Sequence, residues 1–224
     1  ESDRNKFESW WREDILPHTR DVMIRKDNNW KDAGLLGVIT AGAVFKDQEI
    51  LDEAIWEAES YFEKRYDPSV HIKGYWKIRK SREHEDVVFL TREVTRADGR
   101  KGLSYTAYAL TTMSQAFEIA RYHGVNLWHR KTGQGVGMEE LIETQFRWII
   151  LNEEFPWHNS PDRPGGRRNV FEIANNHYDN PLYESYLEDS RPIDGSQGDE
   201  YSTLNKGDIE PQSTDSSRHS TSIE

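Results

Sequence analysis

Residues 102–124 read Gly102-Leu-Ser-Tyr-Thr-Ala-Tyr-Ala-Leu-Thr-Thr-Met-Ser-Gln-Ala-Phe-Glu-Ile-Ala-Arg-Tyr-His-Gly124. At about 100° per residue, Leu103, Thr106, Leu110, Met113, Phe117 and Ala120 fall on one side of a helical wheel. The spacing predicts a helix over 102–123. Gly124 stops it, because glycine adopts the left-handed backbone of a C-terminal cap without steric cost. Lys101, Tyr105, Tyr108, Thr112 and Gln115 lie roughly opposite the apolar stripe. A solvated face would carry Glu, Lys and Arg. This one carries two phenols and small polar groups. Two readings fit: the inner wall of a cleft, or a helix–helix contact with hydrogen-bonded phenols.

Outward from this helix, the same period recurs. A first helix is predicted over 6–20, with Pro17 near its end. A second follows Asp27 and Asn28 and runs through Trp30, Leu35, Leu36, Val38, Ile39 and Val44. Its small residues, Ala33, Gly34, Gly37, Ala41, Gly42 and Ala43, imply close helix packing. A third begins near Asp47, carries Ile50, Leu51, Ala54, Ile55, Ala58, Tyr61 and Phe62, and ends before Asp67-Pro68. Further helices are predicted over 138–152 and 170–187, separated by a Pro/Gly/Arg-rich loop over 156–168. Residues 71–100 are irregular and basic, with Val87–Leu90 as a short buried element. No strand pair is predicted. The fold class is therefore all-α. Successive helices of similar length suggest stacked antiparallel hairpins, an incomplete α/α toroid. A full toroid needs more helices, so the expectation is a domain over 1–187 that lacks its N-terminal part.

Composition sets the remaining bounds. The 224 residues carry a net charge of −11. Residues 188–224 contribute nine acids against three bases, a surplus of six, and few apolar groups. Such a segment cannot bury enough surface to offset its ordering entropy, so a disordered tail is expected there. The remainder is mildly acidic, which argues against nucleic acid as a partner but leaves a polyanion possible if the site itself is basic. The chain has no cysteine, which excludes disulfides and thiolate metal sites. No apolar run is long enough to span a membrane, so no membrane partner is expected.

The chemistry starts from Tyr108. Lys101 lies two turns before it on the same side, and a neighbouring cation favours the phenolate form of a tyrosine. A phenol beside cations suits base-catalysed β-elimination. That reaction needs a base, an acid for the leaving oxygen, and groups that neutralise the carboxylate next to the abstracted proton. It needs no metal and no cofactor.

Several stretches together resemble the alginate-lyase superfamily. They are Tyr105-x-x-Tyr108-Ala-Leu, then Phe117-Glu-Ile-Ala-Arg, then Gly124-Val-Asn-Leu, with Asp27-Asn-Asn-Trp30 upstream and Phe171-Glu-Ile-Ala-Asn-Asn-His-Tyr downstream. The resemblance covers roughly Phe7 to Leu187. It implies a polysaccharide lyase acting on a uronate polymer, of alginate or glucuronan type, in an extracellular or periplasmic setting. It assigns Asn29 to the substrate carboxylate and Tyr108 to proton transfer. It places Lys101, with Arg100 adjacent, at the position of a family arginine. Trp30 stands where the family has a histidine after the asparagine pair. Either another residue supplies the second proton transfer, or Tyr108 performs both in a syn elimination, or activity is lost. His84 and His177 are the candidates for the first option.

Tyr105, Trp30, Asn28, Arg79, Arg82, His177 and Tyr178 are the expected substrate-binding residues. The bland readings are an N-cap for Asn29, with Asp32 completing a box, a solvated loop for Lys77 to Arg82, and a structural histidine at 177. Two rival functions remain: an inert uronate-binding relative, and a glycoside hydrolase using carboxylates such as Glu139, Glu140, Glu153 and Glu154.

Overall fold

A computed structural model of the chain describes residues 2–63, 77–90, 93, 102–157 and 169–191, with the backbone of 66–67 and 72–73. The fold is all-α, as expected, with small β elements. Helix α1 (Asp3–Trp10) starts on Ser2 and passes through a π-helical turn (Trp11–Ile15) into α2 (Leu16–Arg25). Pro17 does not end this helix. It sits in the first turn of α2, where its missing N–H is least costly, and the wider turn before it absorbs the misfit.

Helix α3 (Asn29–Phe45) is capped by Asn28, whose side-chain oxygen accepts from Trp30 N at 3.2 Å. It ends on Lys46, which takes the left-handed conformation at φ 55°. Helix α4 (Gln48–Glu59) is capped by Asp47, which accepts from Ile50 N. Tyr61 and Phe62 lie beyond its end, in a turn, and are buried.

The small residues of α3 serve as expected. A Cβ on Gly34 would lie 2.7 Å from Met23 N of α2, and one on Gly42 would lie 2.7 Å from Leu51 N of α4. Backbones that close leave no space for a methyl group. Helix α3 thereby packs closely on both α2 and α4, and its third large contact is with α5 (Gly102–Tyr122). The predicted stripe of α5 is buried along its whole length. Gly124 caps it at φ +88°.

Two corrections concern the rest of the chain. Two antiparallel strand pairs exist where none was predicted: β1 (Tyr66–Asp67) with β2 (Ile72–Lys73), and β3 (Ile78–Lys80) with β4 (Val88–Leu90). Strands of two or three residues are too short to show an alternation. In the second pair Ile78 opposes Leu90, and both are buried. Helix α6 (Met138–Ile149) follows, its Glu140 carboxylate accepting from Gly137 N at 2.8 Å. The helix predicted over 170–187 is in fact two, α7 (Asn169–Asn175) and α8 (Pro181–Ser190). Pro181 cannot donate to the preceding turn, and Asn180 caps the new helix by accepting from Leu182 N. The tail expected from residue 188 thus begins with the last three residues of α8, and from 192 onward it lies outside the described residues. No helix among the described residues is long and apolar enough to cross a membrane.

The C-terminal helices are tied to α5 through Glu118. Its Oε1 meets His177 Nε2 at 2.6 Å and accepts from Trp128 Nε1 at 2.8 Å, while Arg121 Nη2 donates to Oε2 at 3.0 Å. The His177 ring stacks on Trp128 at 4.2 Å. Burial works to raise the Glu118 carboxyl, but the hydrogen bonds from His177 and Arg121 outweigh it and hold the group down at about 2, against 4.5 in an unstructured chain. Between those values the unfolded chain binds the proton and the folded one does not. The stabilisation is therefore complete above 4.5 and lost as pH falls towards 2. Glu118→Gln is expected to cost on the order of 3 kcal/mol at neutral pH, about 6–12 °C in Tm. Calorimetry should show the gap between parent and variant narrowing below pH 4.5; a gap independent of pH would contradict this role.

Candidate active site

The first turn of α3 and the first two turns of α5 meet at an open pocket of about 220 Å³. Asn29, Trp30, Tyr105 and Tyr108 line it. The two tyrosines are one turn apart on α5 and are half-buried, so each ring packs while its hydroxyl end can reach the opening. Asn29 is buried and Trp30 is 61% exposed. Capping of α3 falls to Asn28, so the cap does not consume the Asn29 amide. The face of α5 opposite the apolar stripe is thus a cleft wall in its N-terminal half.

The pocket offers two phenols, a carboxamide and an indole face. A phenol donates or accepts a proton, an amide N–H stabilises an anion, and an indole stacks on an apolar sugar face. No carboxylate lies among its described lining residues, so the pair a glycoside hydrolase requires is not found there. Glu140 is held by Lys131 and Gly137 N, and Glu139 also lies within 3.5 Å of Lys131. Glu153 is paired with Arg147. Among the described residues there is no cluster of three or more His, Asp or Glu side chains able to hold a metal ion.

A buried polar group lies in the same first turn of α3 as Asn29. Asp32 is fully buried and receives Lys77 Nζ on both carboxylate oxygens, with Tyr61 OH donating to Oδ1 at 2.8 Å. Lys31 Nζ donates to Met23 O at 2.9 Å and to Glu57 at 2.5 Å. Burial pulls the Lys77 ammonium below its ordinary range, against the raising influence of Asp32. Burial and the Asp32 charge together push the Tyr61 phenol well above its usual range. Asp32 therefore completes no capping box, and Lys77 does not lie on a solvated loop. A signal for Asp32 was present: at helical spacing it shares the stripe of Leu35 and Ile39, both buried. Lys77, in a basic run, gave no such signal.

The other expected site residues that are described fall elsewhere. Arg100 and Lys101 lie outside the described residues. His84 sits in the β3–β4 turn, its backbone N–H bonded to Ser81 Oγ and its ring edge-on to Trp157 at 5.5 Å. Arg79 is paired opposite Phe89 in the same hairpin, and Arg82 is exposed in its turn. None of the three is among the described lining residues. His177, half-buried, and Tyr178, buried, lie towards the C-terminal end of α5. His177 is bound by Glu118, and the Tyr178 hydroxyl donates to Trp128 O at 2.6 Å. Ten residues of helix separate Glu118 from Tyr108, about 15 Å along the axis, so neither side chain reaches the pocket. Asn28 serves as the helix cap.

Residues 1–156 match the family model described as Alginate lyase. That range takes in α1 through α6 and all four pocket residues. No curated protein matches the chain.

Proposed function

The chain belongs to the alginate lyase family, and from that premise we propose that the Asn29–Tyr108 pocket cleaves a uronate polymer by β-elimination. At the level of the family it is a polysaccharide lyase acting on an acidic polysaccharide. The observation that carries the finer reading is the meeting of an amide from α3 and two phenols from α5 at one opening.

In this reading the Asn29 amide donates to the uronate carboxylate, which makes the adjacent C5–H acidic enough to lose its proton. The Tyr108 oxygen, as phenolate, takes that proton. The electron pair left on C5 forms the C4=C5 double bond, and the C4–O4 bond breaks. The proton is then delivered to the departing O4, and Tyr108 returns to its starting form. Arg100 and Lys101, which lie outside the described residues, are the cations that this reading assigns to neutralising the carboxylate.

The two tyrosines are the titratable groups among the described lining residues. One phenol performing both transfers must find H5 and O4 on the same face of the ring. That holds for mannuronate and glucuronate, whereas in guluronate the two are on opposite faces. The proposed substrates are therefore mannuronate- or glucuronate-rich polymers, which are extracellular materials. The catalytic domain in this reading extends from the described N-terminus to about residue 187.

Trp30, broadly exposed at the rim, provides a stacking surface for a neighbouring sugar. Trp30→Ala is expected to raise KM about five- to tenfold with kcat little changed, and Trp30→Phe to restore most of the loss. Steady-state kinetics on a defined oligomer would show this, and a fall in kcat at unchanged KM would argue against a stacking role.

A second reading is favoured by Trp30 itself, which stands in place of the histidine seen in the family motif: a uronate-binding relative without turnover. The chain incubated with mannuronate blocks, guluronate blocks and glucuronan separates the two. An eliminase produces the ultraviolet absorbance of unsaturated ends from the first or third substrate. A binder retains oligomers without that absorbance.

A further inference from the structure

Burying a charged pair costs several kcal/mol per ion in desolvation, and the mutual attraction repays this only with good geometry. An apolar pair would hold α3 in place at least as firmly. The buried Asp32 and Lys77 therefore call for a role other than stability, and their connections point to one. Lys77 Nζ, besides gripping Asp32, donates to the carbonyl oxygen of Asn28 at 3.4 Å. The same carbonyl accepts from Lys31 N at 2.8 Å. The nitrogen on the far side of that peptide plane belongs to Asn29, so the orientation of this plane fixes the N–Cα bond from which the Asn29 side chain departs.

Lys77 is itself fixed from behind. Ile78 N donates to Tyr61 O at 3.3 Å, and Tyr61 OH donates to Asp32 Oδ1. The Lys77 ammonium lies 5.1 Å from the Tyr61 ring centre. The bonds close a ring from the start of β3, through the turn after α4, to the first turn of α3 and back. Asp32, Tyr61, Lys77 and Ile78 are all buried, and the bond from Lys77 to the Asn28 carbonyl carries the network to the half-buried Asn28 and the pocket residue Asn29.

We propose that Lys77 and Asp32 are positioning residues, which aim the Asn29 amide into the pocket by clamping the peptide plane before it. This rests on the reading that Asn29 meets the substrate carboxylate, and it adds two residues to that site. Neither touches substrate.

The test is the double variant Asp32→Asn/Lys77→Met, which removes both charges at similar volume and is expected to fold. The side-chain amide of Asn29 gives a pair of signals in a ¹H–¹⁵N spectrum, identified by their loss in Asn29→Ala. In the double variant these signals should shift or broaden. On an active substrate, kcat should fall by up to about 10²-fold, as for a displacement of roughly 1 Å, with KM within about twofold. Asn29 signals that coincide with those of the parent overturn the proposal, whatever kcat does. If the parent shows no lyase activity on any polymer, the eliminase reading fails, and the spectrum alone still decides the positioning role. Should the double variant not fold, Tyr61→Phe, which removes one hydrogen bond from Asp32, is judged by the same signals and the same criterion.

Discussion

Tyr108→Phe is expected to lower kcat by about 10³-fold or more while leaving the fold and the melting temperature nearly unchanged. Positioned acid–base groups contribute about 10²–10⁴-fold each, and in the proposed reaction one phenolic oxygen takes the proton from C5 and delivers it to O4. A loss of 10³ corresponds to about 4 kcal/mol of transition-state stabilisation. The ring of Tyr108 packs on the half-buried face of α5, and phenylalanine preserves that packing. Tyr105→Phe provides the internal comparison. Tyr105 lines the same pocket one turn earlier, so its loss should act mainly on KM. Progress curves of unsaturated-end formation for both variants measure the difference. Equal, small effects at both positions would remove Tyr108 from the chemistry.

The second large effect is expected at Asn29. Asn29→Ala should reduce kcat by about 10²–10³-fold, the range seen when one donor to a developing anion is removed. Its neighbour should behave in the opposite way. Asn28 holds the N-cap hydrogen bond to Trp30 N, so Asn28→Ala should cost about 1 kcal/mol of stability and far less turnover. Thermal melts and kinetics on the two variants read both axes at once. If the losses exchange places, the amide that serves the substrate has been wrongly assigned.

Most of the frame of this site is legible in the sequence, because it depends on local patterns. The stripe from Leu103 to Ala120 places α5 in the core and leaves Tyr105 and Tyr108 on the other face. Gly34 and Gly42 announce the close approach of α2 and α4 to α3, and the Asn28–Asn29 pair marks the start of that helix. What escapes the sequence is what depends on partners far along the chain. Lys77 reads as one charge among many until Asp32, 45 residues away, is seen against it. His177 reads as a candidate for the second proton transfer until Glu118, 59 residues away, is seen bonded to it. The break between α7 and α8 could have been read from Asn180-Pro181, but the apolar period running across it concealed the stop. The π-helical turn ahead of Pro17 had no signal beyond the proline itself.

The site rests on one geometric claim: a uronate ring occupies the pocket with its C5 facing the Tyr108 hydroxyl position and its carboxylate on Asn29. A crystal structure of Tyr108→Phe with a mannuronate or glucuronate oligosaccharide measures this directly. The expected result is a ring whose C5 lies within van der Waals contact of the Phe edge, close enough that a restored hydroxyl would stand about 3–3.5 Å away. Its carboxylate should accept from the Asn29 amide, and a neighbouring sugar should lie over Trp30. An oligosaccharide bound with its carboxylate turned away from Asn29, or seated on another surface with this pocket empty, would contradict the account.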